Sequence, residues 1–79
     1  MKLSLKNASA ETRKALEAKA DKLAYDYDRF GGVDWTLFHI YQLLSGHESE
    51  YDIRSSEVAD KCNGAIKELA EEFPEIIQP

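Results

Sequence analysis

Three side chains have the chemistry to bind a metal or to attack a substrate, namely His39, His47 and Cys62. They are eight and fifteen residues apart, whereas zinc ligands typically occur in pairs at short spacing. A Cys/His nucleophile also needs a third group that orients the base, and the sequence indicates none. We therefore expect His39 at the edge of a helix, His47 in a loop and Cys62 in the core, with no catalytic residues, metal or cofactor.

Other signatures of chemistry or targeting are also missing from the sequence. Gly31-Gly32 follows no predicted strand and precedes no Lys-Ser/Thr, so it is not a nucleotide-binding loop. One cysteine excludes an internal disulfide framework, and no apolar run approaches the roughly 20 residues that span a bilayer. The stretch from Met1 to Lys6 lacks the apolar centre of a signal peptide. These features predict a cytoplasmic protein with no membrane contact and no small-molecule substrate.

The charges are distributed unevenly along the 79 residues, which carry 10 Lys and Arg against 15 Asp and Glu for a net charge of −5. Residues 1–24 hold six basic and three acidic side chains, a net +3. Residues 25–79 hold four basic and twelve acidic side chains, a net −8. This asymmetry favours two faces with different partners, or head-to-tail pairing of two copies. The alternative is a solvated surface whose charges happen to sort by element.

Apolar periodicity predicts three helices, over about residues 9–30, 34–45 and 55–73. Asn7 or Ser9 can cap the first helix, and Gly31-Gly32 ends it. Its apolar residues recur at steps of three and four and form one seam for packing: Leu16, Ala20, Leu23, Tyr27 and Phe30.

The second helix is capped by Asp34 and is apolar on nearly all sides, so we expect it to be the central element. Its only polar stripe is Thr36, His39 and Gln42. Seven large apolar residues in ten positions exceed what two neighbouring helices of so small a domain can cover. That surplus predicts a homodimer or a hydrophobic partner.

The third helix follows Ser55 or Ser56 as its cap and stops at Pro74. Gly64 lies within it and predicts either a close helix approach or a break. The inner stripe consists of Val58, Cys62, Ile66, Leu69 and Phe73. At the N-terminus the alternation of Leu3 and Leu5 with polar residues favours a short strand, and the alternative is a frayed end. The predicted fold is a compact all-α, three-helix domain, with or without this strand, formed by residues 1–79.

Tyrosines and carboxylates alternate near the end of the first helix, and more follow in the acidic connection after the second. Tyrosine supplies contact area at low entropic cost, while charges steer encounter. We therefore predict a non-catalytic protein-interaction module, an inhibitor or adaptor of the kind found in phages and mobile elements, that covers a partner's basic or apolar surface. The alternative is a plain solvated face. The predicted contact residues are Tyr25, Asp26, Asp28, Glu48, Glu50, Tyr51 and Asp52.

The first 45 residues resemble ribbon-helix-helix regulators and antitoxins. The stretch from Ser9 to Leu16 is similar to the start of that family's first helix, and Asp34 to Leu44 would stand for the second. The resemblance implies a dimer in which the N-terminal strands of two copies pair and present Lys2, Ser4 and Lys6 to the DNA major groove. The acidic remainder would then bind a second protein, as in antitoxins.

Two features depart from that family. The first helix is about two turns longer before its glycine, and Gly31-Gly32-Val33-Asp34 replaces the usual Gly-x-Ser junction. A DNA-binding dimer is therefore the alternative function. A third hypothesis is a structural subunit whose exposed apolar residues lie inside an assembly.

Overall fold

A computed structural model describes residues 2–32, 34–50 and 57–78, and the side chains of residues 30, 49, 50 and 57–59 lie outside this description. Three helices dominate, in agreement with the predicted all-α class. In chain order the elements are β1 (Lys2–Leu3), α1 (Ala10–Phe30), α2 (Trp35–Leu44), β2 (Ser49–Glu50), α3 (Glu57–Glu72), a 3-10 turn (Pro74–Ile76) and β3 (Ile77–Gln78).

The two helix starts that the structure describes with their caps follow the predicted chemistry. Ser9 precedes α1, and its Oγ accepts a hydrogen bond from the Thr12 amide at 3.2 Å. Asp34 precedes α2, and its Oδ1 accepts from the Leu37 amide at 3.0 Å. Both caps satisfy amides that have no partner inside the first helical turn. The predicted cap of α3, at Ser55 or Ser56, lies outside the described residues.

The predicted N-terminal strand is present as β1, and two further strands flank it. The sheet order is β2-β1-β3, with both pairings antiparallel. Lys2 faces Glu50 on one side and Gln78 on the other. The chain therefore uses both edges of β1 for its own backbone pairing. The sequence did not predict β2 and β3, and the C-terminal residues dock through β3 onto β1.

The core lies between the sheet and the three helices, and α2 is its central element, as predicted. α2 packs against both α1 and α3. Leu3, Leu16 and Ile40 have no exposed surface, so the strand and the first two helices meet in one apolar cluster. The cluster consists of Leu3, Leu5, Leu16, Ala20, Leu37, Ile40, Leu43, Ile66, Leu69, Ala70 and Ile76.

Helix faces depart from the predicted pattern in α1 and α2. Leu16 and Ala20 of the α1 seam are buried, but Tyr27 of the same seam is exposed. In α2 the polar residues Thr36 and His39 are buried, while the aromatic rings of Phe38 and Tyr41 are exposed. The physical reason is that the face of α2 with Ile40 and Leu43 is turned toward the core. Thr36 and His39 lie beside this face and are therefore buried with it.

The prediction of a buried inner stripe on α3 is confirmed where its side chains are described. The prediction for Gly64 is wrong. Cys62, Ile66 and Leu69 are buried as predicted, Phe73 is half-buried just after the helix, and the side chain of Val58 lies outside the described residues. Gly64 neither breaks the helix nor permits a close approach. α3 continues through it, and a Cβ added there would meet no atom within 4 Å. Gly64 has neither of the two predicted roles, because it occupies a solvent-facing position on α3.

Candidate functional site

A groove runs along the outer side of α2, where this helix meets the last turn of α1. Tyr27 of α1 forms one wall, and Phe38 and Tyr41 of α2 form the other. Leu37 lies at its base and is buried. The exposed fractions of the three rings are 44% for Tyr27, 49% for Phe38 and 50% for Tyr41. About half of each aromatic side chain is thus available for contact in a space of about 240 Å³.

One ring of the groove, that of Phe38, packs against neighbours on its own helix. Phe38 and Tyr41 are one helical turn apart and therefore share a face. The Phe38 ring packs edge-on against Trp35, with ring centroids 6.3 Å apart and an interplanar angle of 85°. It also lies 5.6 Å from the ring of His39. These edge-to-face contacts favour one orientation of the Phe38 ring.

One carboxylate lines the groove, and two more flank Tyr27 along α1. Asp34 lines the groove, and its position is fixed because it caps α2. Asp26 and Asp28 precede and follow Tyr27, which places them about 100° to either side of it on the helix. Asp28 is exposed and Asp26 is half-buried. Through Asp34 the groove combines apolar area with a negative charge.

The structure separates the remaining residues of the predicted interaction patch. Tyr25, with an exposed fraction of 62%, is two residues from Tyr27 and so lies on nearly the opposite side of α1. Its hydroxyl accepts a hydrogen bond from Arg29 Nη1 at 3.1 Å. Glu48 lies beyond the far end of α2, where its carboxylate pairs with Lys2 Nζ at 2.8 Å. Only the backbone of Glu50 is described, and Tyr51 and Asp52 lie outside the described residues.

A second charged cluster ties the helices together on another side. Lys19 Nζ on α1 lies 2.6 Å from Glu72 Oε2 and 3.3 Å from Glu68 Oε1 on α3. The hydrogen bond to Glu72 is the main reason that the pKa of Lys19 is raised, and burial of the ammonium opposes it. Thr36 Oγ1 of α2 donates to Glu68 Oε2 at 3.4 Å. Glu68 thus contacts the other two helices, which gives this cluster a role in packing.

The residues with potential for chemistry are dispersed. His39 is buried in α2, His47 is exposed, and Cys62 is buried in α3. Burial lowers the pKa of His39, and a side-chain hydrogen bond with Gln42 opposes that shift. Over residues 2–32, 34–50 and 57–78, no group of three or more His, Cys, Asp or Glu side chains is placed to hold a metal ion.

The N-terminal residues are arranged differently from what the ribbon-helix-helix resemblance implies. Leu3 and Leu5 point inward as implied, but Ser4 is buried as well. Its hydroxyl accepts a hydrogen bond from the Lys6 amide at 3.1 Å. Lys2 is engaged by Glu48. Since β1 already pairs on both edges, pairing with a second copy would have to displace β2 or β3.

Sequence reasoning placed Tyr27 in the packing seam of α1 and did not say which apolar residues of α2 would be exposed, so it missed the groove that Tyr27, Phe38 and Tyr41 form. The useful signal was the surplus of large apolar residues on α2. It indicated that some of them would need a partner, although it did not indicate which face would remain uncovered.

Comparisons with protein-family models, with curated proteins and with solved structures found no match for this chain. Among the helices within the described part of the chain, none is both long enough and apolar enough to cross a membrane.

Proposed function

We propose that this chain is a non-catalytic protein-interaction module that acts in the cytoplasm as an inhibitor or adaptor. Its contact surface is the aromatic groove formed by Tyr27, Leu37, Phe38 and Tyr41, with Asp26, Asp28 and Asp34 around it. The observation that supports this proposal is the half exposure of three aromatic rings around one groove. The partner is a protein that inserts an apolar side chain and surrounds it with basic residues.

Two physical arguments support this assignment. Aromatic side chains at the centre of an interface supply much of the binding free energy, because they bury a large area and have few rotatable bonds. Carboxylates at the rim attract a basic partner and accelerate encounter, while adding less to affinity. By this account Tyr25 and Glu48 are outside the contact, because Tyr25 lies on nearly the opposite side of α1 from Tyr27 and Glu48 pairs with Lys2 beyond the far end of α2.

The groove can be tested with a displayed library of random peptides selected on the immobilised chain. We expect enriched peptides to combine an aromatic or aliphatic anchor with flanking Lys or Arg. A selected peptide should lose at least about tenfold in affinity for the double variant Phe38→Ser/Tyr41→Ser, since central aromatic anchors commonly contribute roughly 2 kcal/mol or more.

Ile77→Thr is the matched control, because Ile77 is also apolar and exposed but lies on β3 and does not line the groove. Its affinity for the selected peptide should equal that of the unchanged chain. Equal binding of all three proteins would refute the groove. Charge reversal at Asp26 and Asp28 should slow association and weaken its salt dependence, and an unchanged association rate would remove these carboxylates from the account.

The ribbon-helix-helix dimer remains the alternative prediction, and it requires different properties of the chain. It requires a dimer in solution and operator binding that depends on the N-terminal lysines. Lys2→Ala together with Lys6→Ala should abolish DNA binding without unfolding if the alternative holds. Full retention of DNA affinity in that variant, or a monomer by light scattering at every concentration, would exclude it.

A further inference from the structure

A second depression opens at the other end of the molecule from the aromatic groove. It lies between the turn after β1, the beginning of α1 and the turn after α2, and its volume is about 320 Å³. Pockets for small ligands start at roughly 300 Å³. Its lining residues are Ser4, Leu5, Lys6, Arg13, Gly46 and Glu48, none of which lines the aromatic groove.

The charges in this N-terminal cleft are only partly compensated. Among the described lining residues Glu48 supplies the one carboxylate, and Lys2 Nζ neutralises it from 2.8 Å away. Lys6 and Arg13 differ from Lys2, because their side chains form no ion pair or hydrogen bond with any residue that the structure describes. Among the described residues, therefore, no anionic side chain pairs with the two positive charges that face this small cleft.

The wall of the cleft is ordered. The Ser4 amide donates to the Ile76 carbonyl at 2.9 Å, and the Ser4 hydroxyl accepts from the Lys6 amide at 3.1 Å. That hydroxyl keeps its own proton for donation to a ligand. Arg13 lies on the second turn of a helix whose start is capped by Ser9. The two cations are thus attached to backbone that hydrogen bonds hold in place.

We infer that this cleft binds the terminal phosphate group of a small phosphate monoester. A phosphate monoester carries between one and two negative charges near pH 7, which matches the two uncompensated cations. The guanidinium group of Arg13 can donate two parallel hydrogen bonds to phosphate oxygens, and the ammonium group of Lys6 contributes a point charge. The site is independent of the aromatic groove, so it stands whether or not the proposed protein partner exists.

The test is a titration of the ¹⁵N-labelled full chain at pH 7.5, followed through the amide shifts of Ser4, Lys6, Arg13 and Gly46. Glycerol 3-phosphate is the monoester probe, dimethyl phosphate is the diester probe, and sodium chloride at matched ionic strength controls for general screening. We expect saturable shifts with glycerol 3-phosphate and weaker binding of dimethyl phosphate. The variant Lys6→Gln/Arg13→Gln should lose at least about tenfold in affinity, because it removes both charge-assisted contacts.

Lys14→Gln/Lys22→Gln is the matched control, because it removes the same net charge from exposed positions of α1 that do not line the cleft. It should keep its affinity for glycerol 3-phosphate. Equal losses in both double variants would show that the general field of the basic segment attracts the anion, which would overturn the site. Shifts that match those with sodium chloride would overturn it too. If dimethyl phosphate bound as tightly as glycerol 3-phosphate, the assignment to a monoester would be wrong, and the phosphodiester backbone of nucleic acid would replace it.

Discussion

Both faces of α2 carry large apolar side chains, but the two faces differ in exposure. Ile40 and Leu43 on the inner face have no exposed surface, whereas Phe38 and Tyr41 on the outer face are about half exposed. The difference arises because α1 and α3 cover only part of the circumference of α2. A helix that is apolar all round in so small a domain has more surface than its own chain can bury. The uncovered part is then available to a partner.

The polar residues of α2 add to this difference, because some of them lie on the buried side of the helix, where hydrophobicity alone would not place them. Thr36 and His39 are buried beside the inner face. Burying a polar group costs free energy unless it finds a hydrogen bond. Thr36 donates to Glu68, and His39 forms a side-chain hydrogen bond with Gln42. The buried Nε2 of His39 finds no hydrogen-bond partner among the described residues, so these contacts offset only part of the cost of the polar groups in the interior.

The largest expected effect is on the inner face. Ile40→Ala should lower the free energy of unfolding by about 2–5 kcal/mol, because it leaves a cavity at a fully buried position. Urea denaturation monitored by circular dichroism measures this change. Phe38→Ala is the matched substitution on the outer face, and it should cost markedly less because half of that ring already contacts solvent. Equal destabilisation by the two substitutions would show that the faces do not differ as described.

Substitutions on the outer face of α2 should instead weaken the binding of a groove peptide. Phe38→Ser/Tyr41→Ser should cost a selected groove peptide roughly 2 kcal/mol or more in binding free energy, as expected for central aromatic contacts. Fluorescence anisotropy gives the dissociation constant, and the same sample's thermal transition reports on folding. If the double variant is already unfolded at the temperature of the binding measurement, loss of binding would reflect loss of structure and would not support the groove.

A pH-dependent effect is expected from the buried histidine. Because burial lowers the pKa of His39 in the folded chain, the unfolded chain binds the proton more readily, and protonation favours unfolding. The stabilising contribution is complete above the unfolded pKa of about 6.5 and is lost as the pH falls below that value.

Urea denaturation at pH 7.5 and pH 5.5 measures this effect as a lower free energy of unfolding at pH 5.5. His39→Leu should flatten the dependence on pH, whereas His47→Gln, at an exposed position, should leave it unchanged. A dependence that survives in His39→Leu would assign the titration to another group.

The smallest effect on the free energy of unfolding is expected at Gly64, a helix position where an added Cβ would contact no neighbouring atom. Gly64→Ala should raise the free energy of unfolding by up to about 1 kcal/mol, because alanine favours the helix and its Cβ meets no neighbour. Urea denaturation measures it. Destabilisation by this substitution would mean that the solvent side of α3 has a packing role, as the sequence first indicated.

The helices could be predicted because their signals are local. Ser9 and Asp34 are caps by residue type, and the stripe with Cys62, Ile66 and Leu69 has helical spacing over the length of α3. Leu3 and Leu5 indicated a strand by alternation alone. Each of these features depends on residues a few positions apart, and sequence periodicity records such neighbours directly.

The sheet partners and the groove could not be predicted, for two physical reasons. β2 and β3 contain two residues each, too few for an alternation pattern, and they pair with β1 across most of the chain. Tertiary packing decides which side of α2 is turned toward the core. The sequence alone does not determine this, because apolar residues lie on both sides of the helix. Tyr27 was placed in the core for a related reason, since its seam is regular even where no neighbouring element covers it.

The most direct test of the central claim is a map of amide shift changes on the ¹⁵N-labelled chain when a library-selected peptide binds. The account predicts that the largest changes occur at Tyr27, Leu37, Phe38 and Tyr41, with Asp34 and Asp28 at the margin. Changes concentrated at Lys6 and Arg13, or on β3 around Ile77, with none at Phe38 and Tyr41, would contradict it.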